Sequence, residues 1–303
     1  MADVHPQIRA LIDAEPPPAL DAAPADLEAL RAAYAVTGRR LGGAPVPVGR
    51  VLDLGIERDG LPAVPVRAYL PAAAPAPSGA ILWHHGGGWV IGDLDGFDHV
   101  ARALCAASGQ VVVSVDYRLA PEHPFPAAVE DAEAVLRWAV GPGAAALGYD
   151  GRRVAIGGDS AGGQLAALAA LRAPGLARAQ LLVYPALDPR MGSPSYREFA
   201  NGPMLTAAEM ALCWGALLAG ADPSAASVLE AGDLGGAPPA WIAVAAHDPL
   251  RDDGAAFARA LAAAGVPVVV ETYDDMTHGF LRWGGAVDRA HDLIAWLADA
   301  AAK

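Results

Sequence analysis

The run Arg153-Val154-Ala155-Ile156-Gly157-Gly158-Asp159-Ser160-Ala161-Gly162-Gly163-Gln164-Leu165-Ala166-Ala167-Leu168 decides the fold. An apolar, strand-like stretch stops at two glycines, presents one serine and continues into helix-forming residues. A serine at so tight a strand-to-helix turn sits in a sparsely allowed backbone conformation, and its neighbours must lack bulk. Gly158 and Gly162, two residues either side of Ser160, meet that need. A Gly-x-Ser-x-Gly pattern between a strand and a helix lifts a hydroxyl above the sheet at the positive end of the helix. The five residues alone could form an ordinary loop in a chain holding 34 glycines, and it is the flanking strand and helix that make Ser160 the candidate nucleophile.

Outward from this turn the chain alternates strand and helix. Ala80–His84 precedes a helix near Phe97–Ala107, Gln110–Asp116 precedes Ala127–Val140, and Val154–Gly158 precedes Gln164–Arg172. Ala179–Tyr184, Trp241–Ala246 and Val266–Tyr273 read as three more strands, with a helix near Ala255–Ala264 between the last two and a closing helix from Leu293 to Ala302. Such alternation predicts an α/β fold with a mostly parallel sheet covered by helices on both faces. Two strands at the start, Val48–Arg58 and Ala63–Leu70, alternate apolar and polar residues around Asp59-Gly60, a hairpin signal. The expected total is eight strands. Residues 4–15 and 24–40 read as helices parted by Pro16-Pro17-Pro18, the second with a stripe of Leu27, Leu30, Ala33, Tyr34 and Leu41. Asp188 to Pro239 breaks the rhythm, with one helix at Ala207–Leu218 and no strand. Connections this long are usually lids or binding segments. The expected organisation is cap helices in 1–45, a core in 46–187, a cap insertion in 188–239 and the rest of the core in 240–303.

Composition narrows the function classes. With 303 residues, 54% of them hydrophobic, the chain can bury a large core. A net charge of −13 without a basic run argues against nucleic acid. Apolar runs are broken well before membrane-spanning length, and the mean hydropathy of +0.29 reflects alanine, so no membrane association is expected. The acids near the start do not read as a secretory leader, which points to a cytoplasmic protein. Cys105 and Cys213 are expected as buried thiols without metal-ligand company.

A serine nucleophile needs a histidine to take its proton and an acid to orient that histidine. In an open parallel sheet these partners follow later strands in the order serine, acid, histidine. Asp248 and His278 meet both conditions; Asp252 and Asp253 are rivals that read more simply as the first-turn acids of a helix. Of the rival histidines His84, His85, His123, His247 and His291, His247 abuts Asp248, His291 lies in the last helix and His85 reads as a loop anchor, so His278, directly after the last strand, is preferred. Consecutive glycines in His85-Gly86-Gly87-Gly88-Trp89 let backbone N–H groups approach a substrate, so the N–H groups of Gly87, Gly88 and Ala161 are the candidate oxyanion hole. Asp116–Glu122 reads as a proline-fixed loop with Arg118 paired to nearby acids. Met204 and Leu205, just ahead of Ala207–Leu218, are placed either to line an acyl pocket or to pack the cap's own core.

Taken together, five ordered motifs resemble the hormone-sensitive-lipase family of α/β hydrolases, the bacterial family IV carboxylesterases. They are His85-Gly86-Gly87-Gly88, Asp116–Glu122, Gly158-Asp159-Ser160-Ala161-Gly162-Gly163, Asp248-Pro249-Leu250-Arg251-Asp252 and His278-Gly279-Phe280. The resemblance spans nearly the whole chain, and Asp159 places it with the Gly-Asp-Ser-Ala-Gly subgroup. It implies an α/β-hydrolase fold with a helical cap, a triad of Ser160, Asp248 and His278, and an oxyanion hole from Gly87, Gly88 and Ala161. Implied too are a small-molecule ester substrate of short to medium acyl chain, no metal or organic cofactor, and a homodimer through the last strand, Val266–Thr272. The same constellation serves amidases and peptidases. Ligand receptors on this scaffold lack the catalytic histidine, whereas His278 stands here.

Overall fold

The computed structural model describes residues 4–14, 27–73 and 78–303. The triple proline and the start of the second expected helix lie outside them. The helices are α1 (Pro6–Ala14), α2 (Leu27–Leu41), α3 (Asp98–Ser108), α4 (Ala127–Trp138), α5 (Ala144–Leu147), α6 (Ala161–Arg172), α7 (Pro194–Glu198), α8 (Ala207–Leu218), α9 (Arg251–Ala263) and α10 (Arg289–Ala302). The strands are β1 (Arg50–Arg58), β2 (Leu61–Leu70), β3 (Ala80–His84), β4 (Val111–Val115), β5 (Val154–Asp159), β6 (Ala179–Val183), β7 (Ala240–His247) and β8 (Val268–Thr277). They form one eight-stranded sheet in the order β1-β2-β4-β3-β5-β6-β7-β8. β1 and β2 form the hairpin, β2 runs antiparallel to β4, and the six remaining strands are parallel.

The central strands are wholly buried, because helices cover both faces and every side chain of β3, β4, β5 and β6 meets a core. Two apolar clusters result. One, with α4, α6 and α9, lies on one face; the other, with α3 and α10, lies on the opposite face. The cap does not stand apart from them: Met210, Cys213, Trp214 and Leu217 of α8 join the first cluster, and Ile8 of α1 joins the second. Each large side chain so buried contributes about 1.5–3 kcal/mol. A Thr206/Glu209 capping box starts α8 where the sequence places it.

Several details differ from the sequence reading. Strand β8 begins at Val268 and runs to Thr277, longer than Val266–Tyr273, so that it delivers His278 directly. Helix α9 begins at Arg251, earlier than Ala255 but in keeping with Asp252 and Asp253 as its first-turn acids. On α2 Ala33 is exposed, and Ala35 and Gly38 are the buried positions; Gly38 sits where a Cβ would meet the Arg282 guanidinium and the Gly96 carbonyl.

The strand order reverses between β4-β3 and β5, which opens a crevice at the carboxyl ends of the parallel strands. In register, His84 lies opposite Gly158, Asp159 opposite Val183, and His247 opposite Thr277. The next residues in the chain, His85, Ser160, Asp248 and His278, therefore emerge side by side at one sheet edge.

Candidate active site

Ser160 occupies the turn between β5 and α6 with φ 56° and ψ −118°, a conformation non-glycine residues rarely adopt. Its N–H donates to the Val183 carbonyl at 2.8 Å, and its side chain is almost fully enclosed. The flanking glycines are sterically required: a Cβ at Gly158 or Gly162 would collide with the His84 carbonyl.

His278 follows β8 and Asp248 follows β7. The Ser160 hydroxyl lies 2.9 Å from His278 Nε2, and His278 Nδ1 lies 2.7 Å from Asp248 Oδ2. A carboxylate only accepts, so the imidazole carries its proton on Nδ1 and presents Nε2 as the acceptor for Ser160 Oγ–H. Asp248 is completely buried, and its Oδ1 accepts from the Leu250 N–H at 2.8 Å, which fixes the carboxylate plane. The Tyr184 ring packs 4.6 Å from the imidazole and limits its rotation. The rivals of Asp248 do other work: Asp252 accepts from the Ser195 N–H and from Arg251, and Asp253 from the Leu187 N–H and the Ser193 hydroxyl. Burial pushes Asp253 up to about 7.

The glycine loop after β3 faces Ser160. Gly87 and Gly88 have φ of 127° and 59°, and no hydrogen bond within the described chain uses their N–H groups. Ala161 is the first residue of α6, so its N–H has no intrahelical partner. His85 anchors the loop: it stacks on Tyr117 at 4.3 Å, and the Tyr117 hydroxyl donates to the His85 carbonyl at 2.8 Å. Burial lowers the His85 imidazole to about 4, so it stays neutral. Behind the loop Trp89 Nε1 donates to Gln164, whose amide donates to the Ala226 carbonyl.

Above these groups lies an apolar cavity of about 210 Å³. Its floor includes Gly87, Gly88, Ser160 and His278; its roof includes Leu30 and Tyr34 of α2, Met210 and Cys213 of α8, and both Met204 and Leu205. Leu205 belongs to the first core cluster as well, so it lines the cavity and packs the cap at once. Among the described residues, no group of three or more His, Cys, Asp or Glu side chains could hold a metal ion.

Asp116–Glu122 has more work than pairing Arg118. Arg118 does bind Asp131 and Glu130, but Glu122 takes a bidentate bond from Arg31 of α2 at 2.7 and 2.8 Å. Arg31 also donates to the carbonyls of Val90 at 2.9 Å and Ala120 at 3.1 Å. Sequence reasoning also missed Arg282, a buried cation over the rings of Tyr34 and Phe97 at 3.6 and 4.7 Å, whose Nη2 donates to the Tyr34 carbonyl. Its position four residues after His278 was the available signal.

Comparison with known proteins agrees with this architecture. Residues 81–282, more than half of the chain, match a family described as having the alpha/beta hydrolase fold. Carboxylesterase NlhH of Mycobacterium tuberculosis is 42% identical over 257 residues, covering 81% of this chain and 80% of the relative. Ethyl acetate hydrolase of Pseudomonas putida is 37% identical over 262 residues, covering 82% of this chain and 81% of the relative. A solved structure, the hyperthermophilic esterase from the archaeon Pyrobaculum calidifontis, superposes with a TM-score of 0.88 at 32% identity, covering 98% of this chain and 97% of its own. The chain belongs to the α/β-hydrolase family, in its carboxylesterase branch.

Proposed function

We propose that the protein hydrolyses small-molecule carboxylic esters of short to medium acyl chain through an acyl-enzyme on Ser160. The observation that carries this reading is the continuous Ser160–His278–Asp248 hydrogen-bond relay on the floor of an apolar cavity. Ser160 Oγ attacks the ester carbonyl as its proton passes to His278 Nε2, and Asp248 stabilises the imidazolium. The N–H groups of Gly87, Gly88 and Ala161 hold the oxyanion of the tetrahedral intermediate. Collapse expels the alcohol, which takes the proton from His278. Water then attacks the acyl-enzyme with His278 as base and frees the acid.

Ser160→Ala removes the attacking atom. It should lower kcat for nitrophenyl acetate or butyrate by more than about 10³-fold, leaving only the catalysis expected of the oxyanion hole and binding. A smaller loss, or failure of the parent protein to take a fluorophosphonate label at Ser160, rejects the reading.

For assembly, β8 is an end strand of the sheet, with Val269 and Val270 exposed. An apolar, unpaired edge favours pairing with a second copy, and light scattering at micromolar concentration should give twice the chain mass; a monomer rejects the pairing. Among the described residues no helix is long and apolar enough to cross a membrane, which is compatible with the cytoplasmic location read from the sequence.

A further inference from the structure

Asp159 is the last residue of β5, is 2% exposed and stands directly before Ser160. Taking a carboxylate out of water is costly, and desolvation pushes this one up to about 6 even with the Arg282 cation opposing the shift. A residue in so unfavourable a setting invites the question of what it holds. Neither carboxylate oxygen bonds to Ser160 or His278. Oδ1 instead accepts from the N–H of Gly86 at 3.1 Å, the residue that begins the glycine loop. The approach is close enough that a Cβ on Gly86 would collide with Asp159 Oδ2.

We propose that Asp159 is a positioning residue that braces the oxyanion loop against the nucleophile turn, so that the N–H groups of Gly87 and Gly88 hold a fixed distance from Ser160. Two side-chain anchors hold the start of the loop. His85, stacked on Tyr117, fixes its entry from the β4 side, and Asp159 fixes Gly86 from the strand that carries the nucleophile. The second links the two halves of the reacting geometry most directly, since Asp159 and Ser160 are adjacent along the chain and Gly86 and Gly87 likewise, whereas the Trp89–Gln164 bond lies farther along both segments. Gly87 and Gly88 carry no side chains to hold them and have positive φ, so rotation of the peptide between Gly86 and Gly87 would swing the Gly87 N–H, and the next peptide, which carries the Gly88 N–H, would follow. Oxyanion donors act only within a few tenths of an ångström of their place. A misplacement of about 1 Å costs on the order of 10²-fold in rate.

The inference rests on the esterase reading above, so the experiment includes Ser160→Ala as a reference. Asp159→Ala and Asp159→Asn are compared with the parent for kcat and KM on nitrophenyl butyrate. The same proteins are assayed for inhibition by an alkyl trifluoromethyl ketone, whose hemiketal places an oxyanion in the hole. Asp159→Ala should lower kcat by about 10- to 100-fold with KM nearly unchanged, and should weaken the ketone by a similar factor. Asp159→Asn retains an acceptor for the Gly86 N–H and should recover kcat to within about threefold of the parent, the scale of one altered neutral hydrogen bond. A loosened core alone would move thermal stability and not separate kcat from KM. Unchanged kcat and ketone affinity in Asp159→Ala, or equal damage in the alanine and asparagine variants, overturns the proposal. Should the alanine variant not fold, hydrogen exchange of the Gly86 amide decides: protection in the parent and in Asp159→Asn supports the brace, and free exchange in the parent overturns it. A loss smaller than about 10³-fold in Ser160→Ala overturns the esterase reading itself, whereas a larger loss in Ser160→Ala beside a fully active Asp159→Ala overturns only the brace.

Discussion

The floor and the roof of the cavity are built by different means. The floor consists of residues that end or follow parallel strands, and backbone register places them. His84 opposite Gly158 and His247 opposite Thr277 set the glycine loop beside Ser160, and Asp248 beside His278. The roof consists of α2, α8 and the segment before α8, held mostly by side chains: the Arg31 cluster of bonds to Glu122, Val90 and Ala120, the Arg282 bond to Tyr34, and apolar packing into the two cores, with single main-chain bonds at the helix ends from Gly285 to Leu41 and from Phe125 to Leu217. A ladder of main-chain bonds fixes atoms to fractions of an ångström, as proton transfer demands. Side-chain packing tolerates substitution, as a specificity surface requires. Changes to the floor should therefore cost chemistry, and changes to the roof should cost stability or alter substrate preference.

The largest expected effect tests the floor. Asp248→Asn should lower kcat by about 10³- to 10⁴-fold, because the imidazole then loses the partner that holds its Nδ1 proton. Asp252→Asn should change kcat by less than about tenfold, since Asp252 binds Ser195 and Arg251. Steady-state kinetics on both variants decides, and a more damaging Asp252→Asn would assign the acid wrongly.

Next comes the tie between roof and floor. Arg31→Ala removes the donors of two carbonyls and a bidentate ion pair whose Glu122 end is half exposed. The carbonyl bonds carry most of the loss, about 1–3 kcal/mol in urea denaturation, and the ion pair adds little. KM should rise with kcat nearly kept. A large fall in kcat instead would mean that α2 also positions the glycine loop.

A smaller effect is expected inside the roof. Leu205→Ala opens apolar room above Ser160, and each methylene accommodated is worth about 1 kcal/mol in specificity. The optimum in kcat/KM across acetyl to decanoyl esters should move to longer chains. Lower stability with an unmoved optimum would leave Leu205 only its packing role.

The last test leaves the chemistry untouched and lies behind the site at Asp253, which accepts from the Leu187 N–H and the Ser193 hydroxyl. Burial raises its folded-state pKa to about 7, above the ordinary carboxylate range, so the unfolded chain releases the proton first and the native state is progressively penalised as pH rises from 4 to 7. Asp253→Asn removes that penalty while keeping an acceptor for the Leu187 N–H. Thermal melts should show the variant gaining on the parent as pH rises over this window. A constant difference would show that Asp253 ionises alike in both states.

Much of the floor could be read from the chain alone. Strand periodicity, Gly158 and Gly162 around Ser160, three successive glycines after β3, and an acid and a histidine after the last two strands are local signals. Local signals survive folding because strand order converts positions in sequence into positions along one sheet edge. The sequence alone determined the fold class, the hairpin and the strandless insertion, and it singled out Ser160, Asp248 and His278 as the candidates that the fold brings together. Only the tertiary structure decided what depends on contacts between distant segments. Arg31 meets Glu122 across ninety-one positions, and Arg282 meets Tyr34 across two hundred and forty-eight. Ala33 faces outward while Gly38 faces in, because the partner of α2 is the segment around Arg282 and Gly96. Asp159 finds Gly86 only once β3 and β5 are neighbours. Charged and aromatic side chains carry no mark of their partners in one dimension, whereas backbone hydrogen bonding imposes a repeat that the sequence must display.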